Sequence, residues 1–426
     1  GQVHHQPAGL PCYGVGCYLS FSGNFSVGVA FSILPYALIL LLYGLDLVYR
    51  GRVVPMVNRV YGWGMAFILS LIASMILGLI HHTPGLNPVN TAMMCIMFLL
   101  PFNAAVVVQV YNRDNDDFDF ARLLLNSLIL LILVNLAGYA AGMRNVVHYF
   151  EGRVSLPFMR GIYDASHLLS IINLMLLFYV RDFQRKPFAF VALGALFLLN
   201  MAIMMNVNSR LSLMIFMLLL ILFITRAIKA IKGMFTISLF TMPLIMSFAL
   251  LIYQIMSQPF FVAILERVDR EDVTTFNGRT YIWNAVADWV WDDRRGIIFG
   301  NGYHGQYELR MLDFLAVLWN EEHSYNFHLH SSFLEILVGQ GIIGLALFYI
   351  IMWQAFKYLR RQFVEGTIEA PIFAGLVYML FIWQIDIFCY GHDIGNPIFF
   401  SMLAMAAIDQ RFVTRRKRAL GGAWLT

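Results

Sequence analysis

Charged residues are scarce in this chain of 426 residues: only 13% are Asp, Glu, Lys or Arg, whereas 60% are hydrophobic. A soluble domain of this length carries about a quarter charged residues. The apolar residues come in runs of roughly 20, which is the length that an α-helix needs to cross a membrane. The composition therefore excludes a soluble protein and predicts an all-α, polytopic bundle of transmembrane helices.

Motifs for nucleotide hydrolysis, nucleic-acid binding and metal coordination are also lacking. No P-loop and no Gly-x-Gly-x-x-Gly segment opens a helix. The four cysteines show no Cys-x-x-Cys or Cys/His ligand spacing. Cys12 and Cys17 lie in the polar N-terminal segment, where a disulfide is possible if that segment faces an oxidising compartment. We therefore expect no metal, no cofactor and no nucleic-acid partner.

Eleven apolar runs are predicted to span the membrane, and we expect one bundle of eleven to twelve spans. The runs cover residues 25–49, 60–80, 89–111, 122–143, 164–181, 187–206, 210–225, 234–256, 331–353, 370–390 and 395–410. One long polar stretch interrupts them. The predicted organisation is an N-terminal segment (1–24), a first bundle part (25–257), a large loop with short helices (258–330), a last bundle part (331–410) and a basic tail (411–426).

Basic residues predict the orientation, because Lys and Arg concentrate in cytoplasmic loops. If the spans alternate, most of the basic clusters fall on one side, which we take as the cytoplasm. They include all five lysines: Lys186, Lys229, Lys232, Lys357 and Lys417. The basic tail then lies inside. The N-terminal segment, the large loop and every histidine lie outside, in the periplasm if the cell is Gram-negative.

Two arginines at this outer side are candidates for binding an anion. Arg210 is predicted to begin a span after a very short loop, and a helix N-terminus there adds backbone donors. Arg279 is predicted to stand at the first turn of an amphipathic helix marked by Tyr281, Trp283, Ala287 and Trp291. Arginine binds phosphate in a bidentate manner, so the pair could hold a diphosphate. The alternatives are a snorkelling Arg210 and a solvated Arg279.

His330 is the candidate base, because an imidazole titrates near neutrality and lies here where a span begins. Glu335 follows within the same apolar run, and a carboxylate in a membrane helix is expected to be functional or paired. It could orient His330 or contact a sugar. His323, His328 and His330 also suggest zinc, but the acidic or cysteine companions of a zinc motif are absent. Gly339, Gly341 and Gly344 favour close helix packing.

Three local segments resemble those of the bacterial O-antigen ligase and polymerase superfamily. The first is His330-Ser331, nine residues, then Gly341-x-x-Gly344. The second is Asn208-Ser209-Arg210-Leu211 at the outer start of a mid-chain helix. The third is Gly278-Arg279-Thr280-Tyr281-Ile282-Trp283, followed by Phe299-Gly300-Asn301-Gly302. Together they cover about 206–350.

The resemblance implies a metal-independent, inverting glycosyltransferase of the inner membrane, working at the periplasmic face. Its donor would be a glycan on undecaprenyl diphosphate, and membrane lipids would surround it. His330 would be the base toward the acceptor hydroxyl, and Arg210 and Arg279 would bind the donor diphosphate. Glu335, His328, Tyr281 and Trp283 are supporting candidates.

Several functions stay open within and beyond that family. The favoured version is an O-antigen ligase in lipopolysaccharide assembly, whose acceptor is lipid A–core. A polymerase of O-antigen or exopolysaccharide repeat units would use the same residues, with a second lipid-linked unit as acceptor. A protein-glycosylating oligosaccharyltransferase is a third version. A polysaccharide or lipid transporter would show internal repeats or charges near span midpoints, and the sequence shows no convincing repeat.

Overall fold

The computed structural model describes residues 9–51, 56–112, 115, 118–145, 153–180, 186–207, 209–229, 237, 241, 279–318, 320–324 and 327–409. Arg210 is described by its backbone alone. Within these ranges the chain is helical, and the β-contact found among them is an isolated antiparallel bridge between Val57 and Ile408. The predicted all-α fold is confirmed.

Most of the first eight helices follow the apolar runs of the sequence. They are α1 (Gly9–Phe21), α2 (Phe25–Tyr49, with a π-helical segment Leu40–Gly44), α3 (Arg59–Ile80), α4 (Pro88–Tyr111), α5 (Phe120–Ala140), α6 (Ile162–Leu176), α7 (Pro187–Val207) and α8 (Arg210–Ile224). Four short helices follow: α9 (Arg279–Asp292), α10 (Arg294–Phe299), α11 (Gly305–Glu308) and α12 (Asp313–Leu318). The last three are α13 (Ser332–Glu365), α14 (Ala370–Ile382) and α15 (Gly395–Ala407).

Six of the described helices are long and apolar enough to cross a membrane: α2, α3, α4, α5, α7 and α13. Three shorter apolar segments lie at Leu211–Ile224, Ala370–Ile382 and Gly395–Ala407. The predicted span over 234–256 lies outside the described residues, apart from Ile237 and Thr241. The predicted basic tail, 411–426, also lies outside them.

Side-chain caps fix where several helices begin. Asn58 accepts a hydrogen bond from the Val60 N–H at the start of α3. Asn87 and Asp119 cap α4 and α5 in the same way. Each cap satisfies one of the backbone donors that a helix start leaves unpaired. Short polar residues in the loops therefore set the helix boundaries that hydropathy alone leaves uncertain.

Helix α1 is a feature that the sequence did not predict, because it lies in the segment assigned as a polar N-terminus. It packs against α2 through small residues. A Cβ on Gly16 would lie 2.4 Å from the Gly28 carbonyl oxygen, so only glycine permits this approach. Cys12 and Cys17 are free thiols on this helix, and Cys17 is buried.

Helices α14 and α15 form the centre of the bundle. Every residue of α15 is buried, and α14 is buried at all but Phe381. Helix α14 packs on α6 and α13, and α15 packs on α4, α13 and α3. By contrast, α2 exposes a row of large apolar side chains, including Leu34, Leu41 and Leu45. Such an outer surface suits lipid, which confirms an integral membrane protein.

Two predicted spans in the last bundle part have the wrong length. The span predicted over 331–353 is a helix that continues to Glu365, where Gly366 ends it in a left-handed conformation (φ 67°). The span predicted over 370–390 ends at Ile382. It stops there because the residues that follow direct their carbonyl groups toward the start of α13. The Ser332 N–H donates a hydrogen bond to the Trp383 carbonyl oxygen at 2.8 Å.

Helix α13 is broken at Gly341, whose φ of 69° and ψ of −170° are not helical. The polypeptide of 298–302 lies in this break. Asn301 N–H donates to the Val338 carbonyl at 2.8 Å, and Gly302 N–H donates to the Gly339 carbonyl at 3.0 Å. We predicted that Gly339, Gly341 and Gly344 form a face for close helix packing. At Gly341 the glycine instead leaves room for the loop backbone.

Candidate active site at the start of the broken helix

His330 precedes α13 in a left-handed backbone conformation, with φ at 49°. This region is uncommon for residues other than glycine. The next residue, Ser331, caps α13 by accepting a hydrogen bond from the Leu334 N–H. The cap and the reversed backbone turn the imidazole away from the helix axis, and its side chain is 30% exposed. Strain of this kind is typical of functional positions.

The loop after α14 is hydrogen-bonded to the first residue of α13. Ser332 donates its N–H and its hydroxyl to the Asp386 carbonyl, at 3.2 and 3.1 Å. The Asp386 side chain thereby comes to face His330, with Oδ1 at 3.7 Å from Nδ1. That distance is that of an ion pair rather than a direct hydrogen bond. No described residue hydrogen-bonds the other ring nitrogen, Nε2.

Asp386 also faces a second imidazole, that of His167 on α6. Its Oδ2 lies 3.2 Å from His167 Nε2. Burial by itself would raise the pKa of the Asp386 carboxyl, but His167 and His330 outweigh it. Together with the charge of Arg279 they hold this pKa well below its ordinary value. The Asp386 carboxyl is therefore an ionised acceptor between two imidazoles.

The start of α8, where Arg210 lies, is connected to the Asp386 carboxyl through His167. Ser212 Oγ lies 3.1 Å from His167 Nδ1, and Ser209 donates to Ser212 at 2.7 Å. Tyr378 on α14 shares the same ring nitrogen at 3.0 Å. The backbone of Arg210, between these two serines, is thus one residue from a hydrogen-bonded chain that ends at Asp386, and the Asp386 carboxyl faces His330.

Arg279 is half-buried at the first residue of α9, where the sequence predicted it, and its charge acts on Asp386. The buried face of α9 differs in part from the predicted one. It consists of Ile282, Trp283, Val286 and Trp289. Tyr281 and Trp291 are exposed, at 56% and 83%. Of the two predicted supporting aromatics, Tyr281 and Trp283, only Trp283 is therefore buried in the interior.

The backbone of Leu329, just before His330, is held on both sides. Trp283 Nε1 donates to its carbonyl at 3.1 Å. Glu335 Oε1 accepts its N–H at 2.9 Å and also a hydrogen bond from Gln306 Nε2 at 3.3 Å. Glu335 is 3% exposed, so the carboxylate is paired with backbone and amide donors inside the protein. Glu335 therefore bonds the backbone that directly precedes His330.

His328 points away from His330 toward a different set of groups. Its Nε2 lies 3.2 Å from Arg160 Nη2, and its Nδ1 lies 3.7 Å from Glu335 Oε1. Within the described ranges, no three His, Cys, Asp or Glu side chains are grouped as a metal would require. Arg160 lies near the Tyr303 hydroxyl and the Gly391 backbone, so it joins three loops at this end of the bundle.

Asp386, His167 and Arg160 were not singled out from the sequence. A signal for the first two was present, because ionisable residues within predicted spans are functional candidates by default. Asp386 lies in the run predicted over 370–390, and His167 lies in the run predicted over 164–181. Arg160 carries no such signal, since an arginine in a loop is most often solvated.

The arrangement can move a proton and hold an anion. With the Nδ1 proton of His330 directed at Asp386, Nε2 is the basic nitrogen, and the carboxylate stabilises the imidazolium that forms. Arg279 supplies a guanidinium on a helix start beside the same carboxylate, and α8 directs its own start to the site. These are the parts of a group transfer from a phosphorylated donor.

Residues 194–349 match the family described as O-antigen ligase (Wzy_C). No curated protein matches the chain. The matched segment contains Arg210, Arg279, Glu335 and His330, and it ends before Asp386. Through this segment the chain is similar to the O-antigen ligase family.

Proposed function

We propose that this protein is an inverting glycosyltransferase of the bacterial inner membrane. It moves a glycan from undecaprenyl diphosphate to an acceptor at the periplasmic face. The favoured version is an O-antigen ligase with lipid A–core as acceptor. The observation that supports it best is that His330 faces the ionised Asp386. The helices that carry Arg210 and Arg279 both begin near this carboxyl.

The proposed reaction is one displacement at the anomeric carbon. The acceptor hydroxyl gives its proton to His330 Nε2 while its oxygen forms the new glycosidic bond. The bond between the anomeric carbon and the donor phosphate breaks, and its electron pair goes to the diphosphate. Arg210 and Arg279 bind that diphosphate and compensate the charge that grows as it leaves. The guanidinium groups take the role that a metal has elsewhere, so we propose a metal-independent transfer.

The test is transfer by the purified protein from a lipid-linked glycan, with lipid A–core as acceptor. His330→Ala should lower the rate by about 10²- to 10⁴-fold, the usual loss with a general base. Arg210→Ala and Arg279→Ala should each abolish transfer. Chelators should leave the wild-type rate unchanged. The control is His82→Asn, since His82 is an exposed histidine whose backbone φ of 60° asparagine tolerates.

Each outcome decides a different part of the proposal. Transfer by His330→Ala at the wild-type rate would remove its role as base. Inhibition by chelators that zinc reverses would establish a metal. A product formed with a second lipid-linked unit, but not with lipid A–core, would make the protein a polymerase with the same chemistry.

A further inference from the structure

A second charged site lies at the opposite end of the bundle from His330. Arg360 is on the last turns of α13, about 27 Å along the helix from Ile342, the residue after the break, at 1.5 Å per residue. Lys229 ends a short 3-10 helix, Ala227–Lys229, that follows α8. The two cations come from separate elements and line one shallow cleft.

The floor of this cleft is aromatic and fully packed. It is formed by Phe356, Phe363 and Phe373, which are 2 to 3% exposed. The rings of Phe363 and Phe373 stack with centroids 5.0 Å apart. A rigid apolar floor leaves the two cations at the rim as the polar groups that a ligand would meet.

Neither Lys229 nor Arg360 forms an ion pair within the described ranges. The neighbouring Arg361 does: its Nε lies 2.7 Å from Glu365. Two like charges that converge on one cleft repel each other unless an anion lies between them. The cleft therefore has the electrostatics of an anion site, whereas Arg361 is already neutralised.

The surface beside the cleft is apolar and open. Val364 lines the cleft and is 51% exposed. Leu218, Ile221 and Ile224, on the last turns of α8 before the Lys229 turn, are also about half exposed. An inorganic anion would make no use of this stripe, but acyl chains would.

We propose that Lys229 and Arg360 bind the phosphate of an anionic phospholipid, whose acyl chains lie along Val364 and the exposed stripe of α8. The lipid belongs to the leaflet opposite His330. Basic clefts between helices bind anionic lipid headgroups in this manner. The site is independent of glycan transfer, and it would hold α8 and α13 together.

The test is native mass spectrometry of the full chain in detergent, titrated with phosphatidylglycerol or with phosphatidylcholine. We expect the wild type to retain phosphatidylglycerol selectively. The double variant Lys229→Ala/Arg360→Ala should bind it about fivefold more weakly for each cation removed. The matched control is Arg361→Ala, which removes one charge from the same helix turn. The charge-conserving Lys229→Arg/Arg360→Lys variant should keep the affinity.

Three results would overturn this proposal. One is equal binding by the wild type and the double alanine variant. Another is an equal loss in Arg361→Ala, since that would show a general charge effect. The third is displacement of the lipid by millimolar inorganic phosphate, which would identify a free-anion site. Gel filtration of each variant checks that the bundle is folded.

Discussion

At the scale of single residues, the position of His330 depends on the backbone of Leu329. Trp283 and Glu335 bond its carbonyl and its N–H from two different helices. Leu329 itself is fully buried. A left-handed residue that follows a fixed peptide has little freedom, so the imidazole is held toward Asp386 before any substrate binds.

We predict that Trp283→Phe lowers the rate of glycan transfer about tenfold, which corresponds to ~1.4 kcal/mol. The substitution keeps the ring but removes the N–H donor, which leaves the Leu329 carbonyl unpaired. The measurement is kcat in the purified assay. Trp291→Phe is the control on the same helix, because that side chain is 83% exposed. Equal rates for the two variants would show that this hydrogen bond does not position His330.

The site residues that the sequence could predict are those with a local signal. His330 and Glu335 stand at and near the start of an apolar run, and Arg279 precedes an amphipathic pattern. Asp386 and His167 become partners only through folding, because Ser332 bonds the turn after α14. That contact joins residues more than 50 positions apart, and no periodicity in the chain encodes it.

At the scale of elements, the break in α13 decides how the large loop is attached. The loop backbone enters the break, and a Cβ on Gly341 would lie 2.3 Å from the Ile298 carbonyl oxygen. The sequence predicted close packing at these glycines but not a broken helix. Close helix packing and a broken helix both need small residues. Which of the two occurs depends on the position of the loop, and hydropathy does not predict that position.

We predict that Gly341→Ala destabilises the protein. The backbone conformation alone costs about 1–3 kcal/mol for a residue with a Cβ, and the clash with Ile298 adds to it. The measurement is the apparent melting temperature in detergent. Gly194→Ala is the matched control, since a Cβ there meets open space within α7. It should be neutral or stabilising, because alanine favours a helix. Equal melting temperatures for the two variants would contradict the docking described here.

At the scale of the whole molecule, composition predicted the class of fold but not the arrangement. Helices α2 and α15 are both apolar, yet α15 is central and α2 faces outward. Lipid and protein interior are equally apolar, so hydropathy cannot separate them. What separates them is packing: small residues and buried polar side chains, such as Asn396 and Ser401 on α15, mark a helix inside the bundle.

We predict that the buried histidines His304 and His392 lower the stability of the folded protein as the pH falls below about 6.5. Burial lowers the pKa of His304 and of His392 to about 3. The unfolded chain takes up these protons near pH 6.5, whereas the folded protein does so only near pH 3. The contribution of each neutral histidine to stability is therefore complete above 6.5 and falls by about 1.4 kcal/mol per pH unit. The Asp393 carboxyl, whose pKa is raised by burial to about 7, acts in the opposite direction.

The measurement is the apparent melting temperature in detergent between pH 7.5 and 4.5. His392→Gln should change the slope of stability against pH by removing the share of this histidine, whatever its effect on stability at pH 7.5. His82→Asn should leave the dependence unchanged, because His82 is exposed. The same slope in His392→Gln and in the wild type would show that this buried imidazole does not contribute to acid stability.

The break at Gly341 has a mechanical consequence. The segment before it is bonded to the loop through Val338 and Gly339. The same segment is bonded to α3, because the Ser74 hydroxyl donates to the Gly339 carbonyl at 2.9 Å. The loop and α3 therefore both anchor the outer end of α13, so that His330 is held against the bundle from two sides.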